Sequence, residues 1–151
     1  MKCIDWSYAW GELHTEELEN INAHLLKGLV RVDGLKQGSD EVKFWCKDGF
    51  MIKMCHHQDC CEWVRIEDVD SEVNNSDIYT DCQWCKIDQA REDREQPPVS
   101  EWDRESYTWT FYKITTNRGY DTIRWYGTSN GYYSEDVDFE LWQYEDYDLV
   151  E

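Results

Sequence analysis

Residues 41–55 read EVKFWCKDGFMIKMC, and this stretch decides the fold. Two short runs, Glu41–Cys46 and Phe50–Cys55, are rich in aromatic and aliphatic residues, as strands are. Their only charged residues are Glu41, Lys43 and Lys53. Lys47-Asp48-Gly49 lies between them and supplies a glycine for a tight turn. The sequence therefore predicts a β-hairpin here.

The rest of the chain extends the same pattern on both sides of the hairpin. Thr15 can cap a helix whose apolar residues recur every three or four positions, and Gly28 ends it. Further strands are predicted at residues 29–32, 63–69, 83–87, 107–115, 120–126 and 133–142. Seven or eight short antiparallel strands with one N-terminal helix predict an α+β, mostly β fold, built as a twisted antiparallel sheet or small sandwich.

A chain of 151 residues is long enough for a single domain. We expect residues 1–28 to form an N-terminal helical segment and residues 29–142 to form the β-rich core. Residues 88–106 are highly charged and contain Pro97-Pro98, which predicts an exposed loop within that core. Residues 143–151 are expected to form an acidic tail.

The charge balance restricts the classes of function. The chain has 33 acidic and 15 basic residues, for a net charge of −18. This balance argues against direct binding to nucleic acid or to an anionic membrane, because both need a positive surface. It favours a partner with a basic surface, or it only keeps the protein soluble.

The compartment is predicted from what the sequence lacks. The first residues are too polar for a signal peptide, and no run approaches the roughly 18 apolar residues of a membrane span. An odd count of seven cysteines then favours free thiols in a reducing cytoplasm. No cofactor is expected.

Acidic residues alternate with apolar ones in the last predicted strand. Val137, Phe139 and Leu141 share one face, which would leave Asp136, Asp138 and Glu140 on the other. Glu145 and Asp146 extend this row of carboxylates beyond the strand. The row could mimic a phosphate backbone and occupy a nucleic-acid-binding groove of another protein, or it could be a charged edge strand that resists aggregation.

The stretch 129–133, SNGYY, precedes that strand. Asn130-Gly131 is the favoured dipeptide of a tight hairpin turn. The alternative is a recognition loop, in which Asn130 supplies adaptable hydrogen bonds and Tyr132 and Tyr133 supply rigid contact area.

Residues 56–63 read HHQDCCEW and are the richest source of potential ligands. Zinc prefers four nitrogen or sulfur ligands, often as two close pairs. The candidates are His57, Cys60, Cys82 and Cys85, with Cys55, His56 and Cys61 as substitutes. The alternative is that the cysteines are small buried hydrophobes. A nucleophilic cysteine is disfavoured because neighbouring anions raise the pKa of a thiol, and no other motif indicates an enzyme.

The same stretch also has a structural interpretation. It connects a strand ending at Cys55 to one beginning at Trp63, so its polar groups are expected to hold a turn by hydrogen bonds. Strand alternation would direct one of Cys60 and Cys61 to the core. A ligand pocket is the further alternative, with His56, Gln58, Asp59 and Arg124 around a nucleotide that acts as an immune signal.

The segments HHQDCCE, TWTFYKI and RWYGTSNGYYSEDVDF resemble a family of small acidic proteins encoded mainly by tailed bacteriophages and prophages. The resemblance spans roughly residues 26–142, while the first 25 residues and Cys82-x-x-Cys85 fall outside it. At position 57 the pattern has an acidic residue, so only His56 is shared, which weakens the zinc assignment. The resemblance implies a phage source and a shared β-rich domain, but no reaction.

Three functional hypotheses follow, and the first rests on source and charge. The first is a counter-defence inhibitor of the anti-CRISPR kind, which acts in the host cytoplasm by binding a basic nucleic-acid-binding surface of a host effector. The second is a small-ligand binder or sponge for a nucleotide immune signal. The third is a zinc-stabilised scaffold or metal-dependent enzyme.

Overall fold

The computed structural model describes residues 1–7, 15–58, 60–71, 76–79, 82–93, 95–100, 105–131 and 133–150. In this part of the chain nine strands, one α-helix and two short 3₁₀ helices are found. In chain order they are β1 Lys2–Ser7, α1 Thr15–Leu25, β2 Leu29–Asp33, β3 Glu41–Cys46, β4 Phe50–Cys55, β5 Trp63–Ser71, a 3₁₀ helix Ser76–Tyr79, β6 Cys85–Asp93, β7 Ser106–Thr116, β8 Gly119–Ser129, β9 Asp138–Gln143 and a 3₁₀ helix Asp146–Val150.

The strands form two antiparallel sheets. The first sheet has the order β1-β9-β4-β3-β2, and the second has the order β5-β8-β7-β6. The hairpin predicted for residues 41–55 is confirmed, with Glu41 opposite Cys55 and Trp45 opposite Met51. The predicted fold class, α+β and mostly β with an N-terminal helix, is therefore confirmed.

One apolar core lies between the two sheets. Ile52 and Met54 of β4 contribute from the first sheet, while Tyr112 and Trp125 contribute from the second. Leu25 of α1 packs into the same core. These side chains are fully buried, so burial of apolar surface between the sheets is the main source of stability.

The helix begins at Thr15, as predicted, and closes one side of the core. Its Asn22 side chain accepts a hydrogen bond from Ile87 N at 2.7 Å and donates one to Ile87 O at 3.1 Å. Gly28 follows the helix with a φ of 100°, and a Cβ there would lie 2.7 Å from the Cys82 carbonyl oxygen. Only glycine fits this turn, because its backbone is left-handed and its neighbour is too close.

Three of the predicted boundaries are wrong. Residues 1–28 contain a strand, β1, in addition to the helix. The predicted loop 88–106 begins too early, because β6 continues to Asp93. Residues 143–150 do not form a free tail: Tyr144 is buried, and Arg31 Nη1 donates to Leu149 O at 2.7 Å.

The strands β8 and β9 do not form the predicted hairpin, because they belong to different sheets. The connection between them crosses the molecule and is fixed by the buried Glu135, whose carboxylate accepts hydrogen bonds from Thr108 at 2.7 Å and Ser129 at 2.5 Å. Gly127 allows this crossing, because a Cβ there would lie 2.7 Å from the Glu135 carbonyl oxygen. None of the helices in the described ranges is long and apolar enough to span a membrane.

Candidate functional site

The alternation predicted for β9 is correct, but its solvent exposure is not. Phe139 packs in the core, and Asp138 and Glu140 lie on the opposite face. Asp138 is only 2% exposed and Asp136 only 8%, so the predicted outward row of carboxylates is wrong. The physical reason is that β9 is an inner strand between β1 and β4, and residues 56–57 contact its outer side.

The other predicted partner-binding residues are distributed over two regions. Glu145 and Asp146 are exposed beyond the end of β9, and Asn130 is exposed in the crossing connection, where Tyr133 is half-buried. Two predicted site residues, Tyr132 and Asp59, lie outside the described part of the chain. Asn130, Glu145 and Asp146 are therefore the predicted contacts that the structure leaves exposed.

The connection between β4 and β5 is held by hydrogen bonds, as predicted. The Glu62 carboxylate contacts His56 Nε2 at 3.0 Å and accepts hydrogen bonds from the backbone N–H groups of Cys60 at 3.2 Å and Cys61 at 3.1 Å. Gln58 Nε2 donates to Glu62 O at 2.7 Å. Glu62 is the organising residue of this turn, although the sequence analysis did not single it out.

The zinc set predicted from the sequence is not assembled. A disulfide joins Cys60 and Cys61, and both are exposed, so neither faces the core and Cys60 is not a free ligand. Cys82 and Cys85 are buried in the main core with α1. His57 instead contacts Asp138 and Glu140 of β9. The expectation of free thiols holds for Cys3, Cys46, Cys55, Cys82 and Cys85.

The ligand pocket predicted around His56 does not include Arg124. Arg124 belongs to β8 and lies on the outer face of the second sheet, where its Nη1 donates to Asp68 at 2.7 Å. His56 and Gln58 line a different cavity beside the first sheet. The predicted ligand-binding residues therefore belong to two different sites.

The first of these sites is a groove on the outer face of the second sheet, called here the outer groove. One cross-strand row places Arg91, Phe111, Arg124 and Asp68 side by side on β6, β7, β8 and β5. Neighbours in such a row have Cβ atoms roughly 5 Å apart. The groove has a volume of about 850 Å³ and is lined by Gln37, Glu67, Asp68, Arg91, Gln96, Trp109, Phe111, Lys113, Thr122 and Arg124.

Aromatic rings form the floor of the outer groove. The rings of Trp109 and Phe111 are nearly parallel, with 8° between their planes and 6.1 Å between their centroids. The Arg91 guanidinium lies 4.7 Å from the Phe111 centroid. Residues 95–100 pass over one end of this face, where Val99 N donates to the Tyr126 hydroxyl and Trp109 Nε1 donates to Pro97 O.

The lining of the outer groove has one more basic than acidic residue, although the whole protein is strongly acidic. Arg91, Lys113 and Arg124 outnumber the acidic residues of the lining, Glu67 and Asp68, whereas the whole chain has a net charge of −18. Guanidinium groups bind phosphate and carboxylate in a planar, bidentate manner, and aromatic faces bind other rings. The groove can therefore bind an anion that carries a ring.

The second site, beside the first sheet, is a cluster of Cys55, His57 and Glu140. His57 Nε2 lies 2.7 Å from Glu140 Oε2, and the Cys55 thiol donates to the same oxygen at 3.5 Å. Burial, followed by the charge of Glu140, raises the pKa of Cys55 to about 12. Burial also acts to raise the pKa of Glu140, but hydrogen bonds from His57 and Trp142 outweigh it, so this pKa lies below its usual value.

Four residues of these sites were not predicted from the sequence: Arg91, Trp109, Phe111 and Glu62. A usable signal for the groove was present in residues 107–113, YTWTFYK, where bulky residues occupy both faces of the strand. A strand with one solvated face is expected to alternate cleanly between apolar and polar residues. Aromatic residues on the outer face are therefore a sign of a binding surface.

The fold and its sites define a two-sheet β protein with a cationic, aromatic groove on one sheet and a cysteine, histidine and glutamate cluster on the other. The chain belongs to the family described as a domain of unknown function, DUF7448, whose model matches residues 22–139. A search of curated proteins and a search of solved structures found no match.

Proposed function

We propose that the protein acts by binding, and that its ligand combines a phosphate group with an aromatic ring, as a nucleotide does. The observation that carries this proposal is the row in which Arg91 and Arg124 lie on either side of Phe111. A phosphate between the two guanidinium groups would make charge-assisted hydrogen bonds with both. The ligand's ring would then reach the Trp109 indole, which is half-buried.

The energies involved suit a specific small ligand. Stacking of a base on an aromatic side chain contributes about 1–3 kcal/mol, and a hydrogen bond to a charged group contributes about 1.5–3 kcal/mol. Gln37, Gln96 and Thr122 add neutral hydrogen-bonding groups around the groove. With this site the protein would serve as a sponge for a nucleotide immune signal in the cytoplasm of a bacterial host.

Replacing both Arg91 and Arg124 by glutamine is expected to raise the Kd for such a nucleotide by roughly 100-fold or more, because the phosphate loses two charged donors. Calorimetry with AMP, ATP, ADP-ribose and cyclic dinucleotides measures this change. Adenosine and inorganic phosphate separate the contributions of the ring and the anion. Arg118→Gln is the matched control, because Arg118 is exposed at the turn between β7 and β8.

The nucleotide proposal predicts tighter binding for compounds that carry both groups than for adenosine or phosphate alone. If the Arg91 and Arg124 double variant and the Arg118 variant bind the whole panel as the wild type does, the outer groove is not the binding site. The absence of heat or thermal stabilisation with every compound would reject the proposal itself.

A second candidate function is the counter-defence inhibitor that binds a basic nucleic-acid-binding surface of a host effector. The net charge of −18 favours it, and Glu145 and Asp146 are exposed at one end of the first sheet. Asp136 and Asp138 are buried and cannot be contacts of this partner. The contact surface would therefore be centred on residues 143–150 rather than on β9.

The charge-reversed pair Glu145→Lys and Asp146→Lys is expected to weaken capture of such a partner from a bacterial lysate at least 10-fold, because four units of charge change at the contact. Capture by the wild type should be lost when excess DNA competes for the same basic surface. Glu19→Lys with Asp40→Lys is the matched control, since both residues are exposed elsewhere. Equal loss with both pairs would indicate a general charge effect and would contradict a specific surface.

A further inference from the structure

Cys55 and His57 are close in sequence, Glu140 is about 85 positions further along the chain, and the three residues meet on the outer face of the first sheet. Cys55 ends β4, His57 follows it in the connection to β5, and Glu140 lies on the neighbouring strand β9. Cys55 is opposite Asp138 and Lys53 is opposite Glu140, so the thiol and the Glu140 carboxylate are diagonal neighbours. The strand register therefore fixes two of the three groups on a rigid sheet.

We propose that these three residues bind a zinc ion, through Cys55 Sγ, His57 Nε2 and a Glu140 carboxylate oxygen. The three ligand atoms all lie within 4.8 Å of one another. In a tetrahedral zinc site, bond lengths near 2.0–2.3 Å place ligand atoms about 3.4–3.6 Å apart. Movements of about 1 Å within the cluster would bring the three groups to these separations.

Two contacts with Asp138 orient His57 for this role. Asp138 Oδ2 lies 3.3 Å from His57 Nδ1 and also accepts a hydrogen bond from His57 N at 2.9 Å. A carboxylate beside Nδ1 is the usual partner of a metal-bound histidine, because it favours the proton on Nδ1 and presents Nε2 to the metal. Zinc binding would replace the contact between His57 Nε2 and Glu140 and would release the Cys55 thiol proton to solvent.

The donor set and its surroundings indicate an open zinc site rather than a closed structural one. Thiolate, imidazole and carboxylate together suit zinc, whereas magnesium and calcium prefer oxygen ligands alone. All three residues line one cavity of about 500 Å³, so a water molecule or another ligand can occupy the fourth position. Lys53 is the nearby cation, and its Nζ is paired with Glu41 at 3.1 Å.

Cobalt substitution tests this proposal directly, because a thiolate bound to Co²⁺ gives a charge-transfer band that oxygen and nitrogen ligands do not give. The full chain, stripped of metal and kept reduced, is titrated with CoCl₂ and then with ZnCl₂. We expect one equivalent of Co²⁺ to produce the band and one equivalent of Zn²⁺ to remove it. A titration of the wild type that gives no band overturns the proposal.

Variants assign the band to its ligands. Cys55→Ser is expected to abolish it, and His57→Gln and Glu140→Gln to weaken Co²⁺ affinity at least 10-fold each. Cys3→Ser is the matched thiol control and His24→Gln the matched histidine control, and both should bind as the wild type does. The double variant Cys60→Ser and Cys61→Ser should also retain the band, which excludes the neighbouring thiols.

Folding measurements distinguish loss of metal binding from loss of structure in these variants. Circular dichroism and urea denaturation in the absence of metal show whether each variant is folded. If Cys55→Ser does not fold, the reduced affinities of His57→Gln and Glu140→Gln, measured against His24→Gln, decide the assignment. A band that persists in folded Cys55→Ser, or unchanged affinity in both other variants, contradicts the site.

Discussion

Replacing Asp138 by lysine is expected to unfold the protein, with a loss of about 4 kcal/mol or more in the free energy of unfolding. The Asp138 carboxylate is 2% exposed, accepts a hydrogen bond from His57 N at 2.9 Å, and lies 3.3 Å from His57 Nδ1 and 4.0 Å from His56 Nδ1. A lysine would place a buried ammonium group beside two histidines and would leave the His57 N–H without this acceptor. Small domains have a total free energy of unfolding of about 5–15 kcal/mol, so this one substitution can unfold the protein.

Two further variants determine whether burial of Asp138 causes the expected loss of stability. Asp138→Asn keeps an acceptor for His57 N and is expected to cost about 1–3 kcal/mol. Asp146→Lys makes the same reversal of charge at an exposed position just beyond β9 and should change stability by about 0.5 kcal/mol or less. Urea denaturation gives all three values. Equal midpoints for Asp138→Lys and Asp146→Lys would restore the outward row of carboxylates predicted from the sequence.

The two faces of β9 show which part of this structure is encoded locally. Alternation correctly assigns Phe139 to one face and Asp138 and Glu140 to the other, because successive side chains of any strand point to opposite sides. Exposure of the acidic face depends on residues 56–57, which lie about 80 positions away in the chain and contact Asp136 and Asp138. No local pattern contains that information.

Only the second part of β6, residues 88–93, was predicted as a loop, and the physical reason is different. Four of the six residues 88–93 are charged, all except Gln89 and Ala90, yet the segment still pairs with β7, with Asp93 opposite Trp109. β6 is the edge strand of its sheet, and charge on an edge strand prevents pairing with other molecules. A charged edge strand and a charged loop therefore have similar sequences, and Arg91 of the outer groove was missed with it.

The dipeptide Asn130-Gly131 illustrates the limit of turn signals. It correctly marks a reversal, and Gly131 has a φ of 92°. Both a tight hairpin turn and a connection that crosses between two sheets can contain a glycine in this conformation. Whether the chain forms a hairpin or a crossing depends on the strands with which β9 pairs. These are β1 and β4, which belong to the sheet that does not contain β8. The resulting crossing separates the predicted recognition loop from the acidic strand that it was expected to border.

Raising the pH from 10 to 12 is expected to lower the free energy of unfolding by about 5 kcal/mol through Tyr79 and Tyr112 alone. Burial is the main cause that raises the pKa of each phenol far above its ordinary value, whereas in the unfolded chain each ionises near pH 10. Because the folded-state pKa is the higher one, the contribution is complete below pH 10 and is lost as the pH rises. Each group then costs about 1.4 kcal/mol per pH unit.

The two tyrosines provide a matched pair of variants with opposite effects at pH 7. Within the described part of the chain the Tyr112 hydroxyl has no hydrogen-bond partner, so Tyr112→Phe should stabilise the protein by about 1 kcal/mol. The Tyr79 hydroxyl donates to Asp121 at 2.8 Å, and Asp121 is only 2% exposed. Tyr79→Phe deprives that buried carboxylate of a donor and should cost about 1–3 kcal/mol.

Urea denaturation at pH 7, 10, 11 and 12 separates these effects from the ionisation of buried thiols, which is common to all variants. Each single variant should lose about 1.4 kcal/mol less per pH unit above pH 10 than the wild type. If Tyr112→Phe loses stability as steeply as the wild type, Tyr112 ionises in the folded protein and the core between the sheets admits water. If both variants lower stability equally at pH 7, the contrast between an unpaired Tyr112 hydroxyl and a paired Tyr79 hydroxyl is wrong.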